Sequence, residues 1–282
     1  MKYITLANGV EMPLIGYGVY QVTPAECVRC VKDALEVGYR SIDTAQAYAN
    51  EAEVGQAIAE SGVARGDIFL TTKIWISKAG EKTAAASIDE SLRKLRTDYV
   101  DLLLIHQPFG DYYGTWRAME AAYRAGKVRA IGVSNFYPDR YIDLDHFAEV
   151  KPMVNQVEAH PFDQQRAAQE IMRKRGCAVM AWAPLAEGRN GLFTNPVLEA
   201  IGAQYGKTPA QVALRWLIER DIVVIPKSVR RERMAENLAI LDFELSAADH
   251  EAIRTLDLGH SLWFDHHDPA VVEQFMGWVN IV

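Results

Sequence analysis

The sequence predicts an α/β protein in which eight strand–helix units close into a (β/α)8 barrel. Short β-rich runs alternate with longer helical patterns along the whole chain. Some runs are almost wholly apolar, such as Val100–His106 (VDLLLIH), which is typical of parallel strands buried on both faces. The length of 282 residues suits a barrel of about 250 residues. No linker or low-complexity segment interrupts the alternation, so residues 1–282 are predicted to form one domain.

The strand candidates are short runs that precede the helical segments. They are Leu14–Val19, Tyr39–Asp43, Ile68–Lys73, Val100–His106, Val128–Ser134, Met153–Glu158, Ala178–Ala183 and Ile222–Lys227. Ahead of them, Asn8-Gly9 lies between two apolar runs, which predicts a β-hairpin. We expect this hairpin to plug the bottom of the barrel. An open doubly wound sheet is the rival architecture.

The helix candidates have apolar residues at helical spacing and clear end signals. They are Pro24–Val37, Asn50–Glu60, Thr83–Leu95, Tyr112–Ala125, Gln164–Arg175, Pro209–Glu219, Arg231–Ile240 and Ala247–Leu256. Thr23 and Thr208 are typical N-cap residues before proline, and Gly38 is a typical stop. An irregular C-terminal tail is expected from Leu258.

Composition excludes several classes of protein. The 30 Lys and Arg residues against 37 Asp and Glu residues give a net charge of −7, which argues against nucleic-acid binding. No apolar run approaches the ~20 residues of a membrane span, and the first residues lack an apolar signal core. A cytoplasmic location is therefore expected. Three cysteines cannot build a disulfide scaffold, and we interpret Cys27 and Cys30 as helix residues without a redox role.

Polar residues stand where the predicted strands end, which is where such barrels hold their active sites. Asp43, Lys73 and His106 end three consecutive strands, and Tyr48 lies in the loop after the first of them. Tyrosine is a weak acid with a pKa of about 10. We expect Lys73, held charged by Asp43, to lower the pKa of Tyr48 and make it a proton donor. His106 would donate a hydrogen bond to a carbonyl oxygen.

Several segments match, in order, the signatures of one enzyme family. They are Gly38–Ala45 with Glu51 and Val54-Gly55, then Leu104–Pro108, then Ile131–Phe136, and last Ile225–Ser228 with Arg233, Glu236 and Asn237. On these residues the chain resembles the aldo-keto reductases, over about residues 3–258. It looks most like their compact prokaryotic branch, such as 2,5-diketogluconate and methylglyoxal reductases. Several signatures in the right order are far more specific than a single motif.

The resemblance implies a site for NADPH/NADP+ across the barrel mouth. Asp43, Tyr48, Lys73 and His106 would be the catalytic tetrad. The implied cofactor contacts are Ser134, Asn135 and Gln156 at the carboxamide, Trp182 on the nicotinamide face, and Pro184, Leu185, Glu187 and Gly188 over the pyrophosphate. Lys227, Ser228, Val229, Arg230 and Arg233 would hold the 2′-phosphate, and Glu236 and Asn237 would meet adenine.

The charge pattern supports a phosphate site at the end of the eighth predicted strand. Lys227 and Arg230–Arg233 concentrate positive charge at a strand-to-helix turn of an acidic protein. A Rossmann fingerprint is the weaker alternative for the cofactor, because Gly16 and Gly18 are not followed by a third glycine or by a helix. We expect these two glycines instead to let the backbone approach the cofactor closely.

The substrate pocket is predicted to be aromatic, lined by Tyr20, Trp75, Phe109 and Tyr112. Trp263 and Phe264 of the tail are further candidates, and Arg189 or His266 is expected to attract anionic sugar acids. The chain departs from the family pattern at Gln107, where tryptophan is common after the catalytic histidine. It departs also at Tyr20, at Ala183 and in a short Phe109–Trp116 loop.

The function predicted from the sequence is NADPH-dependent reduction of aldehydes or ketones, with small carbonyls, dicarbonyls or keto sugar acids as substrates. Hydride would come from nicotinamide and the proton from Tyr48. The alternative is an NADPH-binding sensor or regulatory subunit with slow or no turnover. A monomer is expected from the family resemblance. No metal site is predicted, because adjacent histidines in the tail (His266 and His267) ligate one ion poorly.

Overall fold

A β-hairpin lies at the bottom of the barrel. The computed structural model describes residues 1–281. Strands β1 (Tyr3–Thr5) and β2 (Glu11–Pro13) pair antiparallel across a turn in which Gly9 has a φ of +84°. Met12 is fully buried, and the Asn8 side chain donates to the carbonyl of Arg129 at 2.9 Å. Since Arg129 is at the start of a barrel strand, the hairpin is at the N-terminal ends of the strands, as predicted.

Eight parallel strands follow the hairpin in chain order. They are β3 (Tyr17–Gly18), β4 (Ser41–Asp43), β5 (Phe69–Ile74), β6 (Val100–Ile105), β7 (Val128–Ser134), β8 (Val154–Glu158), β9 (Ala178–Trp182) and β10 (Ile222–Val224). Each pairs with its neighbour in sequence. A parallel bridge between Ile15 and Val224 joins the two edges of this sheet, with the amide of Gly16 bonded to the carbonyl of Val224 at 2.8 Å. The predicted α/β barrel is therefore confirmed.

The helices pack outside the sheet and over the mouth. They are α1 (Pro24–Val37), α2 (Glu51–Glu60), α3 (Glu81–Lys94), α4 (Tyr112–Arg124), α5 (Pro138–Phe147), α6 (Arg166–Lys174), α7 (Pro196–Tyr205), α8 (Pro209–Ile218), α9 (Arg231–Leu238), α10 (Ala247–Arg254) and α11 (Pro269–Gly277). None of these helices is long and apolar enough to cross a membrane.

The sequence prediction missed helices α5 and α7, and the expectation of an irregular tail was wrong over α11. Both α7 and α11 start with a proline after a capping side chain, Asn195 and Asp268 respectively, so the start signals were present.

The predicted Thr208 cap, the stop at Gly38 and the helical placement of the cysteines are confirmed, whereas Thr23 occupies the N-cap position of α1 without a side-chain cap hydrogen bond. Thr208 and Gln211 form a capping box at the start of α8, and Gly38 ends α1 with a φ of +120°. Cys27 and Cys30 lie on the buried face of α1. Burial raises the pKa of the Cys27 thiol to about 12, so this thiol is protonated and unreactive at neutral pH.

Glycines allow barrel strands to approach one another. A Cβ on Gly18 would lie 2.8 Å from the carbonyl oxygen of Ile225, and one on Gly16 would lie 2.8 Å from Oγ of Ser41. The expectation that these two glycines make room for a cofactor is therefore wrong, because the backbone of Ile225 and the side chain of Ser41 take the space that a Cβ would need. Gly132 in β7 is tighter still, since its Cβ would lie 2.3 Å from the carbonyl oxygen of Val154 in β8.

We predict that Gly132→Ala destabilises the barrel by about 2 kcal/mol or more, because the added methyl group must push two backbone strands apart. Gly66→Ala is the matched control, since nothing lies within 4 Å of a Cβ at Gly66. Urea unfolding followed by circular dichroism measures both variants. Equal midpoints for the two variants would contradict the close approach of β7 and β8.

Candidate active site

The four predicted tetrad residues lie together at the C-terminal ends of adjacent strands. Asp43 ends β4, Lys73 is in β5, and His106 directly follows β6. Tyr48 closes a short 3-10 turn after β4, Gln46–Tyr48. Because β4, β5 and β6 are neighbours in the sheet, residues distant in sequence meet at one mouth.

Lys73 is the centre of this cluster. Its Nζ lies 2.5 Å from Oδ1 of Asp43, 2.9 Å from the carbonyl oxygen of Thr44 and 3.2 Å from Oη of Tyr48. An ammonium has three donors, and these three acceptors use them all. Lys73 and Asp43 are both inaccessible to solvent, so neither charge is compensated by water.

The pKa of Tyr48 shifts in the direction opposite to the expected one. Burial, followed by the nearby charge of Asp43, raises it well above the ordinary value of 10. Asp43 neutralises most of the field of Lys73 at the phenol, which explains why the ammonium does not dominate. Tyr48 therefore keeps its proton at neutral pH, while Lys73 remains in hydrogen-bond contact with its oxygen.

His106 is neutral at physiological pH. Burial and the charge of Lys73 lower the pKa of its imidazole well below 6.5. Its Nδ1 is buried, with no hydrogen-bond partner among residues 1–281. An unpaired acceptor is less costly than an unpaired N–H, so the proton belongs on Nε2. The ring makes edge contacts with Tyr48 and Trp75, at centroid distances of 5.6 and 5.2 Å.

The residues implied at the carboxamide form one polar network with the tetrad. Gln156 in β8 donates from Nε2 to Oδ2 of Asp43 at 2.9 Å. Ser134 donates from its hydroxyl to the carbonyl of Gln156 at 2.9 Å. Asn135, with a φ of +62°, accepts from Nε1 of Trp182 at 2.8 Å. The structure thus places Ser134, Asn135, Gln156 and Trp182 beside one another at the ends of β7, β8 and β9.

Two loops extend this surface. After β9, Ala186 and Glu187 have φ values of +50° and +48°, and Pro184 is buried while Leu185 and Gly188 are half-buried. Positive φ values at residues other than glycine are strained, and such strain is common where a backbone contacts a ligand.

After β10, the side chains of Lys227, Arg230 and Arg233 are exposed, with no ion pair or hydrogen bond to the described part of the chain. Arg231 differs from them, because it pairs with Glu36 at 2.7 Å and Asp33 at 3.4 Å.

The other residues predicted to contact the 2′-phosphate or adenine are at least partly buried or hydrogen-bonded within the protein. Ser228 is buried, and its hydroxyl accepts from the amide of Arg230 at 3.1 Å, which shapes the turn. Val229 is half-buried and Asn237 is buried. Glu236 accepts from the hydroxyl of Thr208 at 2.8 Å.

Three of the four predicted pocket residues lie at the mouth. Tyr20 is exposed with its ring 5.0 Å from that of Tyr48, and Trp75 contacts His106. Phe109 is buried with Trp75 in a second apolar cluster under the C-terminal tail. The ring of Tyr112 instead packs against Tyr113 and Phe136, and no ring contact with the tetrad is found for it, so its place in the pocket stays a prediction.

The C-terminal tail covers the mouth. Trp263 meets the ring of Trp182 at 5.3 Å, and the guanidinium of Arg189 lies over Trp263 at 4.5 Å. Phe264 packs against Phe275 of α11 in the second apolar cluster. Nε1 of Trp75 donates to the carbonyls of Trp278 and Val279 at 3.2 and 3.1 Å. Both ends of the tail thus contact residues around the tetrad.

The expectation that His266 attracts anions is wrong. His266 is buried, its ring packs against Phe109 and Phe275, which also contact each other, and its Nε2 lies 2.9 Å from Oε1 of Gln107. Burial lowers its pKa to about 4, so it is uncharged at neutral pH. Within the described residues, the tail histidines join no group of His, Cys, Asp and Glu suited to a metal ion.

Sequence reasoning missed Glu158, the buried residue that ends β8. Its carboxylate accepts from the hydroxyl of Ser261 and, at 2.8 Å, from the amide of Leu262, which fixes the start of the tail. Nε2 of His160 lies 2.9 Å from the same carboxylate. A charged residue at the end of an apolar strand was the available signal.

Comparisons with known proteins agree with this geometry. A model described as the aldo/keto reductase family matches residues 12–258. The chain belongs to the aldo/keto reductase family. Glyoxal reductase of Bacillus subtilis (strain 168) is 47% identical over 256 residues, covering 90% of this chain and 92% of that protein. Methylglyoxal reductase DkgA of Salmonella typhimurium is 41% identical over 262 residues, covering 92% of this chain and 94% of that protein.

One solved structure of a relative contains NADP. The crystal structure of a Bombyx mori aldo-keto reductase in complex with NADP has a TM-score of 0.89 and 34% identity, covering 94% of this chain and 95% of that one. This aldo/keto reductase is accordingly an NADP-dependent oxidoreductase that acts on carbonyl compounds.

We predict that Lys73→Met lowers the free energy of unfolding by about 3–5 kcal/mol, because it leaves the carboxylate of Asp43 buried without its counter-charge. Lys127→Met is the matched control, since Lys127 pairs with Asp89 at 2.6 Å with both side chains exposed. Losing an exposed pair costs at most about 1 kcal/mol. Equal urea midpoints for both variants would contradict the charged, buried pair.

Proposed function

We propose that this protein reduces small aldehydes, ketones or dicarbonyls to alcohols with NADPH, and that Tyr48 is the proton donor. One observation carries the proposal. A buried ammonium, Lys73, contacts both a carboxylate and a phenol, and the phenol lies against a neutral imidazole at the same barrel mouth. This set can protonate a carbonyl oxygen without metal or water as the acid.

The residues around the mouth fit NADPH. Trp182 is half-buried beside Asn135, Ser134 and Gln156, which offers an aromatic face with amide and hydroxyl groups for nicotinamide and its carboxamide. The exposed side chains of Lys227, Arg230 and Arg233, which have no ion pair within residues 1–281, suit a 2′-phosphate, with Ser228 and Val229 in the same turn. Glu236 and Asn237 would meet adenine, and Pro184–Gly188 would cover the pyrophosphate. The chemistry that bound NADPH supplies is hydride donation to the carbonyl carbon.

Side chains of this chain supply the proton that the carbonyl oxygen receives. Nε2–H of neutral His106 donates a hydrogen bond to the carbonyl oxygen and orients it. Tyr48 gives its hydroxyl proton to the same oxygen, and Lys73 stabilises the resulting phenolate through the contact it already makes. Asp43 holds Lys73 in place and is itself held by Gln156. Solvent then returns the proton to Tyr48.

The mouth favours small, uncharged carbonyl substrates. Trp75, Tyr20 and Phe109 are aromatic, and the tail packs over Trp75 and Phe109. The names of the relatives, glyoxal reductase and methylglyoxal reductase, support small aldehydes and dicarbonyls. With His266 uncharged, Arg189 is the remaining candidate for an anionic sugar acid, and it already lies over Trp263. We propose that the active protein is a cytoplasmic monomer.

We predict that Tyr48→Phe lowers kcat by at least about 100-fold while leaving NADPH affinity within twofold, because only the proton donor is lost. Tyr20→Phe is the control, since its exposed ring touches Tyr48 without contacting Lys73. NADPH oxidation at 340 nm with methylglyoxal, a diketo sugar acid, a nitrobenzaldehyde and a bulky ketone measures turnover. Near-wild-type kcat in Tyr48→Phe would refute the assignment. NADPH binding without turnover of any carbonyl would favour the sensor alternative.

We predict that Lys227→Ala and Arg233→Ala each weaken NADPH binding about tenfold or more and NADH binding less than twofold, since only NADPH carries the 2′-phosphate. Arg231→Ala is the matched control within the same basic run, because Arg231 is already paired with Glu36 and Asp33. Fluorescence titration with both cofactors measures the dissociation constants. Equal weakening for NADH would show that these side chains do not contact the 2′-phosphate.

A further inference from the structure

One hydrogen-bonded chain of buried side chains connects the C-terminal tail to the proposed nicotinamide site. Oε1 of Gln107 lies 2.9 Å from Nε2 of His266 and 3.3 Å from Nδ2 of Asn135. Oδ1 of Asn135 then accepts from Nε1 of Trp182 at 2.8 Å. Gln107 is 8% exposed and His266 is 2% exposed, so water does not substitute for these contacts.

The donors and acceptors in this chain have one consistent arrangement. An amide oxygen only accepts, so Asn135 and His266 must both donate to Gln107. Nδ1 of His266 is buried and has no partner among residues 1–281, which suits a neutral ring protonated on Nε2. Both polar ends of the Asn135 amide are thereby occupied, since its Nδ2 also donates to the carbonyl of His106 at 3.2 Å. Nδ2 also lies 3.2 Å from Oγ of Ser134, so Gln107 is one of several partners of Asn135, and it is the one that is itself hydrogen-bonded to the tail.

The seating of His266 depends also on apolar packing. Its ring is stacked with Phe109 and Phe275, at centroid distances of 5.8 and 5.3 Å and interplanar angles of 20° and 26°. Phe275 belongs to α11, so the stack joins the tail helix to the loop after β6. The hydrogen bond to Gln107 is the polar element of a contact that is otherwise apolar.

We propose that Gln107 is a positioning residue that couples closure of the tail, through His266, to the Asn135–Trp182 pair that receives nicotinamide. This inference rests on the proposed function. Gln107 touches neither the cofactor nor the reacting atoms and acts through Asn135. A tail that is seated pre-organises Asn135 for the cofactor, and by reciprocity the bound cofactor stabilises the seated tail.

The test removes the hydrogen bond and the ring stack separately. His266→Phe keeps an aromatic ring against Phe109 and Phe275 and deletes the donor. His266→Gln keeps an N–H donor of similar reach and deletes the stack. Gln107→Leu removes the acceptor with little change in shape. His267→Ala changes the adjacent histidine, which is exposed and pairs with Asp139 at 3.2 Å.

We expect His266→Phe and Gln107→Leu each to raise the NADPH dissociation constant about threefold to tenfold, the effect of one neutral hydrogen bond. The double variant should bind NADPH no more weakly than the single variant with the lower affinity, because both changes break the same contact. His266→Gln should weaken binding less than His266→Phe, because it keeps the donor and loses only the ring packing, and His267→Ala should stay within twofold of the wild type. NADPH should also slow proteolysis of the tail in the wild type, and less so in His266→Phe.

The outcomes separate this inference from the proposed function. If the wild type does not bind NADPH, the proposed function fails and the coupling fails with it. If the wild type binds NADPH and both single variants bind it equally well, the coupling alone is refuted, even if Tm falls, since a lower Tm then reports tail packing only. Additive effects in the double variant would refute it too. If Gln107→Leu does not fold, the comparison of His266→Phe with His266→Gln decides.

Discussion

The buried ion pair between Lys73 and Asp43 is the interaction on which the rest of the site depends. Two charges without solvent contact are tolerable only when every donor and acceptor is satisfied. Lys73 has Asp43, Thr44 and Tyr48 as acceptors, and Asp43 has Gln156 as its second donor. Because both charges must be fully paired, they fix the positions of the Tyr48 phenol and of the Gln156 amide.

The barrel supplies the rigidity that this pairing needs. The pair spans β4 and β5, and Gln156 reaches Asp43 from β8. Closure of the sheet between Ile15 and Val224 holds the strands at fixed spacing, and the glycines at Gly18 and Gly132 allow that spacing. The outer end of the same mouth is covered by the tail, which Glu158, Gln107 and Trp75 hold at separate points. Fixed strands below and a held tail above leave an aromatic site at the barrel mouth.

Much of the fold and of the catalytic cluster could be predicted because the relevant signals are local. Alternating apolar runs and helix caps mark the barrel, and Asp43, Lys73 and His106 each end a recognisable strand. The tail could not be predicted in this way. Its helix begins after a short cap at Asp268, but its position depends on contacts with Trp75 and Phe109, about 160–200 residues earlier in the chain.

Residue type and spacing along the chain are enough to predict the barrel, the polar residues at the strand ends and the basic segment after β10. The protonation states and the pairing partners of these side chains depend on the three-dimensional packing. Tyr48 has a raised pKa because the fold buries it beside Asp43, and His266 is uncharged because the fold buries it against Phe109 and Phe275. Arg231 is paired while Arg233 is not, because α1 presents Glu36 and Asp33 to one of them. Burial and pairing depend on what lies across space, which spacing along the chain does not encode.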